Sequence, residues 1–318
     1  MLLFTEPLHR RYYASWFSFA HCISILFNIC LIFVPFFLGY PSDGSGGIWL
    51  KEDIYREQPN VAYNYKVIFL LTVKDINSGN INERFFSTIS SMNESRLKSI
   101  QMATIRSYEI DIDNDGIKDK LQFNAVIPLL PQETIVSFQA LLFFDYQLQT
   151  RAKISMESLA YIHKTFPFPC ISYTTVGNLQ FRQSSSLHIR RENTNMYVDE
   201  PLIYGKFKND NASLIIQSKD TSMKAILEKY SQRNFASDYV ELYPLWTSDI
   251  TTYSSSVSKM MYKQFNFTST INYPIQDIRY IPNVIEVLKD AWIKYFSLAV
   301  IVGFFLKKIA SFVFFHQM

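Results

Sequence analysis

A long apolar segment lies near the start of the chain, from Trp16 to Leu38. No aspartate, glutamate, lysine or arginine occurs between Arg11 and Asp43. A helix needs roughly 20 apolar residues to cross the ~30 Å hydrocarbon core of a bilayer. The pattern predicts a transmembrane helix over residues 15–39. The alternative is a cleaved signal peptide, although this apolar run exceeds the usual ~7–15 residues and has no clear small-x-small cleavage site.

A second apolar segment runs from Ala291 to Phe315 and is interrupted by the pair Lys307–Lys308. Long basic side chains near the end of a membrane helix can extend their charge to the headgroups. The pattern predicts a transmembrane helix over residues 291–313, continuous with a helix that begins after Pro282. A buried or interfacial helix is the alternative.

Positive charges beside the two segments predict the topology. Arg10–Arg11 precede the first segment, and Lys307–Lys308 lie at the far end of the second. Lysine and arginine are enriched on the cytosolic side of membrane helices. We therefore expect residues 1–14 and 314–318 in the cytosol, and residues 40–290 as one domain in the lumen or outside the cell.

Apolar and polar side chains alternate with a period of two in several stretches between the segments. Because side chains alternate across a strand, each stretch predicts a strand with one buried face. The inward positions are the odd residues of Val61–Val73, the even residues of Val136–Leu148, Leu121, Phe123, Ala125 and Ile127, and Phe265, Phe267 and Ile271. Turn-rich breaks between the strands predict a mainly antiparallel β-sandwich. Apolar residues at helical spacing within Thr221–Arg233 predict one short helix packed on the sheet.

Three acceptor sequons for N-glycosylation lie between the apolar segments, at Asn93, Asn211 and Asn266. Such sites are glycosylated only on the lumenal side of the membrane, so their placement agrees with the predicted topology. On the strand predicted around 262–273, Phe265 points inward, and Asn266 therefore points outward, where a glycan is tolerated.

One motif carries metal-binding chemistry, the sequence D-I-D-N-D-G-I-K-D from Asp111 to Asp119. Calcium takes about six to eight oxygen ligands. Asp111, Asp113 and Asp115 can direct three carboxylates to one point, Ile117 would contribute its carbonyl oxygen, and Asp119 would bind directly or through water. We therefore expect a structural calcium ion in this loop.

The motif differs from an EF-hand. The twelfth position is Gln122 instead of a bidentate glutamate, and the flanking residues indicate strands rather than helices. The motif is similar instead to calcium-loaded hairpin loops of extracellular β domains. A hairpin turn without metal is the alternative, because aspartate, asparagine and Gly116 also favour tight turns.

Charge, cysteine and histidine usage argue against several function classes. The net charge is +3 and the basic residues are scattered, which argues against nucleic-acid binding. Cys170 is the one cysteine between the apolar segments, so this region holds no internal disulfide, and we expect Cys170 to be buried. His163 and His188 lack metal-ligand spacing, and no hydrolase, P-loop or zinc-protease motif occurs. We expect a non-enzymatic protein without a small-molecule substrate.

Short motifs spread along the chain resemble one family. They keep a similar order and spacing over nearly the whole length. They are Gly47–Lys51, Tyr55–Val61, Asp111–Phe123, Phe166–Pro169, Tyr230–Asn234, Pro244–Trp246, Tyr273–Pro274, Tyr280–Pro282, Lys289–Trp292, Tyr295 and Phe312–Phe314. On this collinear set, the chain resembles the transmembrane protein 231 family.

The resemblance implies a structural component of the ciliary transition zone, in the tectonic-like (Meckel syndrome) complex at the base of the cilium. Such a component supports the membrane barrier that controls ciliary protein composition, cilium assembly and Hedgehog signalling. Its implied partners are other members of that complex and the bilayer, and the family supplies no catalytic residues. Two alternatives share the topology: a two-span channel subunit and a glycosylated β-subunit of a lipid flippase. Both usually carry disulfides between their spans, and Cys170 cannot form one within this region.

Overall fold

The computed structural model describes residues 15–39, 49–94, 102–197, 202–203, 206–207, 214–215, 222–248 and 263–315. The chain forms two compact units, a helical unit (Met1–Asp53 with Ile281–Met318) and a β-rich unit (Ile54–Tyr280). The helices are α1 (Phe19–Leu38), α2 (Ser90–Glu94), α3 (Met223–Ser231) and α4 (Val284–Phe315). The strands are β1 (Asp53–Glu57), β2 (Asn60–Asp75), β3 (Ile81–Ser87), β4 (Thr104–Ile110), β5 (Lys120–Leu129), β6 (Glu133–Leu148), β7 (Ala152–Gln183), β8 (Leu187–His188), β9 (Arg190–Asn195), β10 (Lys206–Phe207), β11 (Leu214–Ile215), β12 (Phe235–Ser248), β13 (Lys263–Asn272) and β14 (Gln276–Ile281).

Helices α1 and α4 are the two candidate membrane spans. The Ser18 hydroxyl accepts a hydrogen bond from the His21 amide at 3.3 Å and caps the start of α1. Helix α4 begins at Val284, two residues after Pro282, as predicted from the sequence. Both helices are long and apolar enough to cross a membrane, and almost none of their side chains is buried within the protein. Apolar side chains exposed at this density mark a surface that contacts lipid or another protein.

The two spans contact each other through a small residue and one hydrogen bond. A Cβ atom placed on Gly303 of α4 would lie 3.2 Å from Cδ1 of Leu31 on α1, so glycine permits this close approach. The Tyr295 hydroxyl on α4 donates a hydrogen bond to the Ile32 carbonyl oxygen at 3.3 Å. The helical unit is therefore a packed pair of helices.

The β-rich unit is built on one nine-stranded sheet. The strand order is β3-β2-β6-β7-β13-β5-β4, and β9 and β12 join it through β7. Pairing is antiparallel except that β13 and β9 run parallel to β7. Strands β1, β14 and β8 form a separate three-stranded sheet, and β10 pairs with β11.

The large sheet curls onto itself. The Phe69 ring on β2 lies 6.1 Å from the Phe123 ring on β5 and 6.2 Å from the Phe267 ring on β13, although neither strand neighbours β2. Glu109 on β4 accepts a hydrogen bond from the Tyr63 amide of β2 at 2.7 Å. The mainly antiparallel sandwich predicted from the sequence is confirmed, and its layers are opposing parts of one curled sheet.

The predicted inward positions fill the interior of this sheet, with two exceptions. Val136 on β6 is only partly buried and the neighbouring Ile135 is buried instead, because the pairing of β6 with β7 shifts register between Ile135 and Ser137. Tyr65 was predicted on the buried face of β2, but its side chain is 72% exposed. The pairing of β2 with β6 shifts register between Tyr63 and Val67, and Tyr65 has a φ of +56°. This bulge turns Tyr65 outward and then restores the alternation, so that Val67 is buried again.

A second, smaller core lies between the sheet and α3. Ile226 and Tyr230 on α3 pack in one buried cluster with Leu141 and Phe143 on β6. The Ser222 hydroxyl caps α3 by accepting a hydrogen bond from the Ala225 amide at 3.1 Å. The short helix predicted to pack on the sheet is therefore confirmed.

Candidate calcium loop and glycosylation sites

The aspartate-rich segment forms the hairpin loop between β4 and β5. Two residues of the loop lie in the left-handed region, Asn114 with φ +59° and Gly116 with φ +89°. Asparagine and glycine tolerate this conformation better than other residues, which is why the chain can reverse here within a few residues. The strands on both sides of the loop are those predicted from the sequence.

Three of the predicted ligands converge in this loop. Asp111, Asp113 and Asp115 each offer one carboxylate oxygen, and these three oxygens lie within 4.8 Å of one another. Over the part of the chain that the structure describes, this is the one group of three or more His, Cys, Asp or Glu side chains close enough to share a metal ion. Carboxylate oxygens are the ligands that calcium prefers.

The loop backbone already bonds some of these carboxylates. The two oxygens of Asp111 accept hydrogen bonds from the Asn114 amide at 2.7 Å and the Gly116 amide at 3.0 Å. Asp115 Oδ1 accepts from the Ile117 amide at 2.7 Å. Carboxylate oxygens have several lone pairs, so they can hold the turn and still face a cation.

The surroundings of Asp113 raise the pKa of its carboxyl. The hydrogen bond from the Asp115 amide lowers the pKa of this carboxyl, but loss of solvation and the negative charges of Asp115 and Asp119 outweigh it and raise the pKa above its ordinary value. A cation at this point would remove the repulsion.

The fourth carboxylate of the loop, Asp119, accepts hydrogen bonds with both of its oxygens. Its Oδ2 accepts a hydrogen bond from the Ile112 amide at 2.6 Å, and its Oδ1 accepts from the Gln58 side-chain amide at 2.8 Å. These bonds lower its pKa, the Ile112 amide most strongly. Asp119 therefore ties the base of the loop to the segment before β2 and is not among the three converging aspartates. Sequence reasoning missed Gln58 because it lies 61 residues away from Asp119.

The three sequons differ in their surroundings. Asn266 is exposed on the outward face of β13, between the buried Phe265 and Phe267. Asn93 is half-buried, and its side-chain amide both donates to the Ser87 carbonyl at 2.7 Å and accepts from the Ser87 amide at 3.1 Å. Asn211 lies outside the described residues.

The two histidines of the β-rich unit are both exposed. The His163 ring stacks on the Tyr161 ring at 6.1 Å, which is a surface contact on β7. Cys170 is buried and forms no disulfide, as predicted from the sequence. Among the described residues, these side chains belong to no cluster with metal-ligand geometry.

Comparison with known proteins gives one family. The model of the transmembrane protein 231 family matches residues 1–318. Transmembrane protein 231 of Gallus gallus is 28% identical over 316 residues, covering 99% of this chain and 91% of the relative. The protein of Xenopus tropicalis is 29% identical over 319 residues (99% and 93%), and that of Homo sapiens is 27% identical over 320 residues (99% and 92%).

A cryo-EM structure of a proton-activated chloride channel is also similar, with a TM-score of 0.26 and 6% identity over 91% of this chain and 97% of the channel chain. A likeness at this level carries no inference about fold or transport.

The family match runs through both candidate spans and the whole β-rich unit between them. The short motifs noted in the sequence lie along that same length. This chain belongs to the transmembrane protein 231 family.

Proposed function

We propose that this protein is a structural component of the ciliary transition zone, where it supports the membrane barrier that controls ciliary protein composition. The observation that carries the proposal is the family match over residues 1–318. In this role the protein acts as a scaffold, in the tectonic-like complex, rather than as a catalyst. Loss of the protein would then impair cilium assembly and Hedgehog signalling.

The proposed topology places both termini in the cytosol and the β-rich unit in the lumen or outside the cell. It is supported by the basic residues beside the spans, of which Lys307 and Lys308 lie on α4 and Arg10–Arg11 lie outside the described residues. Protease treatment of sealed vesicles tests it. Epitopes at both termini should be digested from the cytosolic side while the β-rich unit is protected, and protection of either terminus would contradict the topology.

A scaffold needs a surface for its partners, and β12 offers one. Val240, Leu242, Tyr243 and Leu245 on this strand are exposed by 38%, 44%, 68% and 67%. Exposed apolar side chains grouped in this way mark protein-contact surfaces. We propose that another membrane member of the tectonic-like complex packs on this row, which we call the β12 row.

The localisation test uses a matched pair of variants in ciliated cells that lack the native protein. The tagged wild type should concentrate at the ciliary base and restore exclusion of plasma-membrane proteins from the cilium. Leu245→Lys should reduce both, because a buried ammonium is costly in an apolar interface. Ile81→Lys is the control, since Ile81 is also 67% exposed but lies on β3.

The outcomes separate the two parts of this proposal. A uniform plasma-membrane signal for the wild type would contradict a transition-zone role. Equal effects of Leu245→Lys and Ile81→Lys would leave the location standing and would reject the β12 row as the contact surface.

We further propose that the β4–β5 loop binds a structural calcium ion through Asp111, Asp113 and Asp115, with the Ile117 carbonyl and Asp119 completing the ligand set. The proposal rests on the convergence of three carboxylates within 4.8 Å. Calcium would stabilise the hairpin by offsetting the repulsion among its aspartates, which together with loss of solvation raises the pKa of Asp113.

Calorimetric titration of the full chain in detergent tests the calcium site. The wild type should bind calcium and gain thermal stability, and Asp113→Ala should lose both effects. Asp75→Ala is the control, because Asp75 also caps a tight turn, accepting from the Asn77 amide at 2.8 Å, but does not belong to the converging aspartates. Absence of a calcium-dependent shift in the wild type would refute the site.

A further inference from the structure

A groove of about 530 Å³ lies on the outward face of strands β4, β5 and β13. Strand register arranges its lining in three rows. Asn266, Val126 and Thr104 form the first row, and Thr268, Asn124 and Arg106 form the second. Tyr108 on β4, opposite Gln122 on β5, forms a third row beside the second.

Besides the acceptor Asn266, the lining combines an aromatic ring, a cation and two side-chain amides. The Tyr108 side chain is 58% exposed, and its hydroxyl hydrogen bonds to the Gln122 side-chain oxygen. Asn124 Nδ2 donates to the Thr268 hydroxyl at 3.3 Å. Arg106 adds a guanidinium with several donors. A ring can pack on the C–H face of a sugar, while amide and guanidinium groups bond its hydroxyl and acetamido oxygens.

The glycan acceptor forms one wall of this groove. Asn266 and the sequon hydroxyl Thr268 both line it, and the Asn266 side chain is exposed. Arg106 is two strands and one row away from Asn266. With strands ~4.8 Å apart and ~6.7 Å between rows, this places the two Cα atoms about 12 Å apart. Tyr108 lies one row further along β4, about 16 Å from Asn266 by the same spacings. The first sugars attached at Asn266 therefore extend toward Arg106, and the following sugars extend toward the Tyr108 ring.

We propose that this groove seats the proximal N-acetylglucosamine residues of a glycan carried by Asn266. The inference rests on the proposed topology, since only a lumenal β-rich unit receives N-glycans. The seated sugars lie across β4, which is the last strand in the order of the large sheet. Exposed strand edges invite pairing with other chains, and a sugar fixed beside β4 keeps other strands from it.

The test measures how fast peptide N-glycosidase releases each glycan from the folded full-length protein, followed site by site by mass spectrometry. The chain also carries Asn82→Thr, which creates a reporter sequon at Asn80 in the turn before β3. Asn80 and Asn82 are both exposed, so a glycan there lies free in solvent.

The expected result is release at Asn266 at least about tenfold slower than at Asn80, which corresponds to about 1.4 kcal/mol of contacts broken before the enzyme gains access. After denaturation the two rates should be equal. The double variant Arg106→Ser/Tyr108→Ser should raise the Asn266 rate to that of Asn80. The Asn80 rate should stay the same in the double variant, which shows that the fold is kept.

The remaining outcomes contradict the glycan at Asn266, the proposed topology or the seating of the sugar. If Asn80 is glycosylated and Asn266 is not, the groove holds no glycan while the topology stands. If neither is glycosylated, the proposed topology fails and this inference fails with it. If Asn266 carries a glycan that is released as fast as that of Asn80, or at a rate that the double variant leaves unchanged, the sugar is not seated in the groove.

Discussion

The hydroxyl of Tyr230 should be a major contributor to the stability of the β-rich unit. The side chain is 4% exposed, and the hydroxyl accepts hydrogen bonds from the Ser237 amide at 2.6 Å and the Leu159 amide at 3.2 Å. It donates toward Ser237, whose carbonyl oxygen lies at 2.9 Å and whose hydroxyl lies at 3.0 Å. One donated and two accepted bonds use the full capacity of a hydroxyl.

The substitution Tyr230→Phe removes this hydroxyl and keeps the ring that packs in the core around α3. Two buried backbone amides, those of Leu159 and Ser237, then lose a partner. An unsatisfied buried donor costs about 1–3 kcal/mol, so we expect a loss of about 2–4 kcal/mol after some relaxation. For a domain the size of Ile54–Tyr280, each kcal/mol corresponds to about 2–4 °C in Tm.

Urea unfolding of the full chain in detergent, read by pulse proteolysis, measures this loss. Tyr243→Phe is the control, because Tyr243 is 68% exposed and its hydroxyl should contribute less than about 0.5 kcal/mol. Ser237→Ala and the double variant complete a cycle that should be non-additive by about 0.5–3 kcal/mol, since the two hydroxyls share one network. A loss for Tyr230→Phe no larger than that of the control would refute the reasoning.

Three further predictions concern packing and titration. Gly177→Ala should lower the free energy of unfolding by about 1–3 kcal/mol, because a Cβ atom there would lie 2.5 Å from the Tyr239 ring and from the Val240 carbonyl oxygen. A free energy from urea unfolding within ~0.5 kcal/mol of the wild type would contradict this. Burial raises the pKa of the Cys170 thiol to about 11, so in a chain with both membrane cysteines replaced by serine, iodoacetamide at neutral pH should modify it only after unfolding. Burial also raises the pKa of Tyr55 to about 12, so the folded state favours the neutral phenol. The contribution of this burial to stability is therefore complete below the unfolded pKa of ~10 and is lost as the pH rises toward 12. Absorbance at alkaline pH should show tyrosines that ionise only together with unfolding, and ionisation of every tyrosine near pH 10 would contradict the burial.

The period-two patterns predicted the strands well because each strand exposes one face and buries the other. The alternation in β5 and β13 needs no knowledge of the partner strand to be recognised. The prediction was wrong at Tyr65, where a bulge inserts residues between two buried positions, and at Val136, where a register shift buries Ile135 instead. A bulge depends on how β2 pairs with β6, and nothing within β2 itself marks it.

The candidate calcium loop was likewise predictable only where its residues lie close together in the sequence. Asp111, Asp113 and Asp115 lie within five residues, so the motif alone indicated that their carboxylates could converge. The contact of Asp119 with Gln58 joins residues far apart in the chain and has no local signal. The groove beside Asn266 likewise depends on three strands from different parts of the sequence.

The sequence by itself determined two apolar spans, a β-rich unit between them, the turn chemistry of the aspartate loop and the outward direction of Asn266. These properties follow from periodicity, composition and residue type over short stretches, where the physics of solvation and backbone sterics acts locally. Only the tertiary structure decided that one sheet curls to make both layers, that Gly303 lets α4 approach α1, and which side chains surround Asn266. Each of these depends on packing and register between distant segments, and that information resides in the complementarity of surfaces rather than in any one stretch of chain.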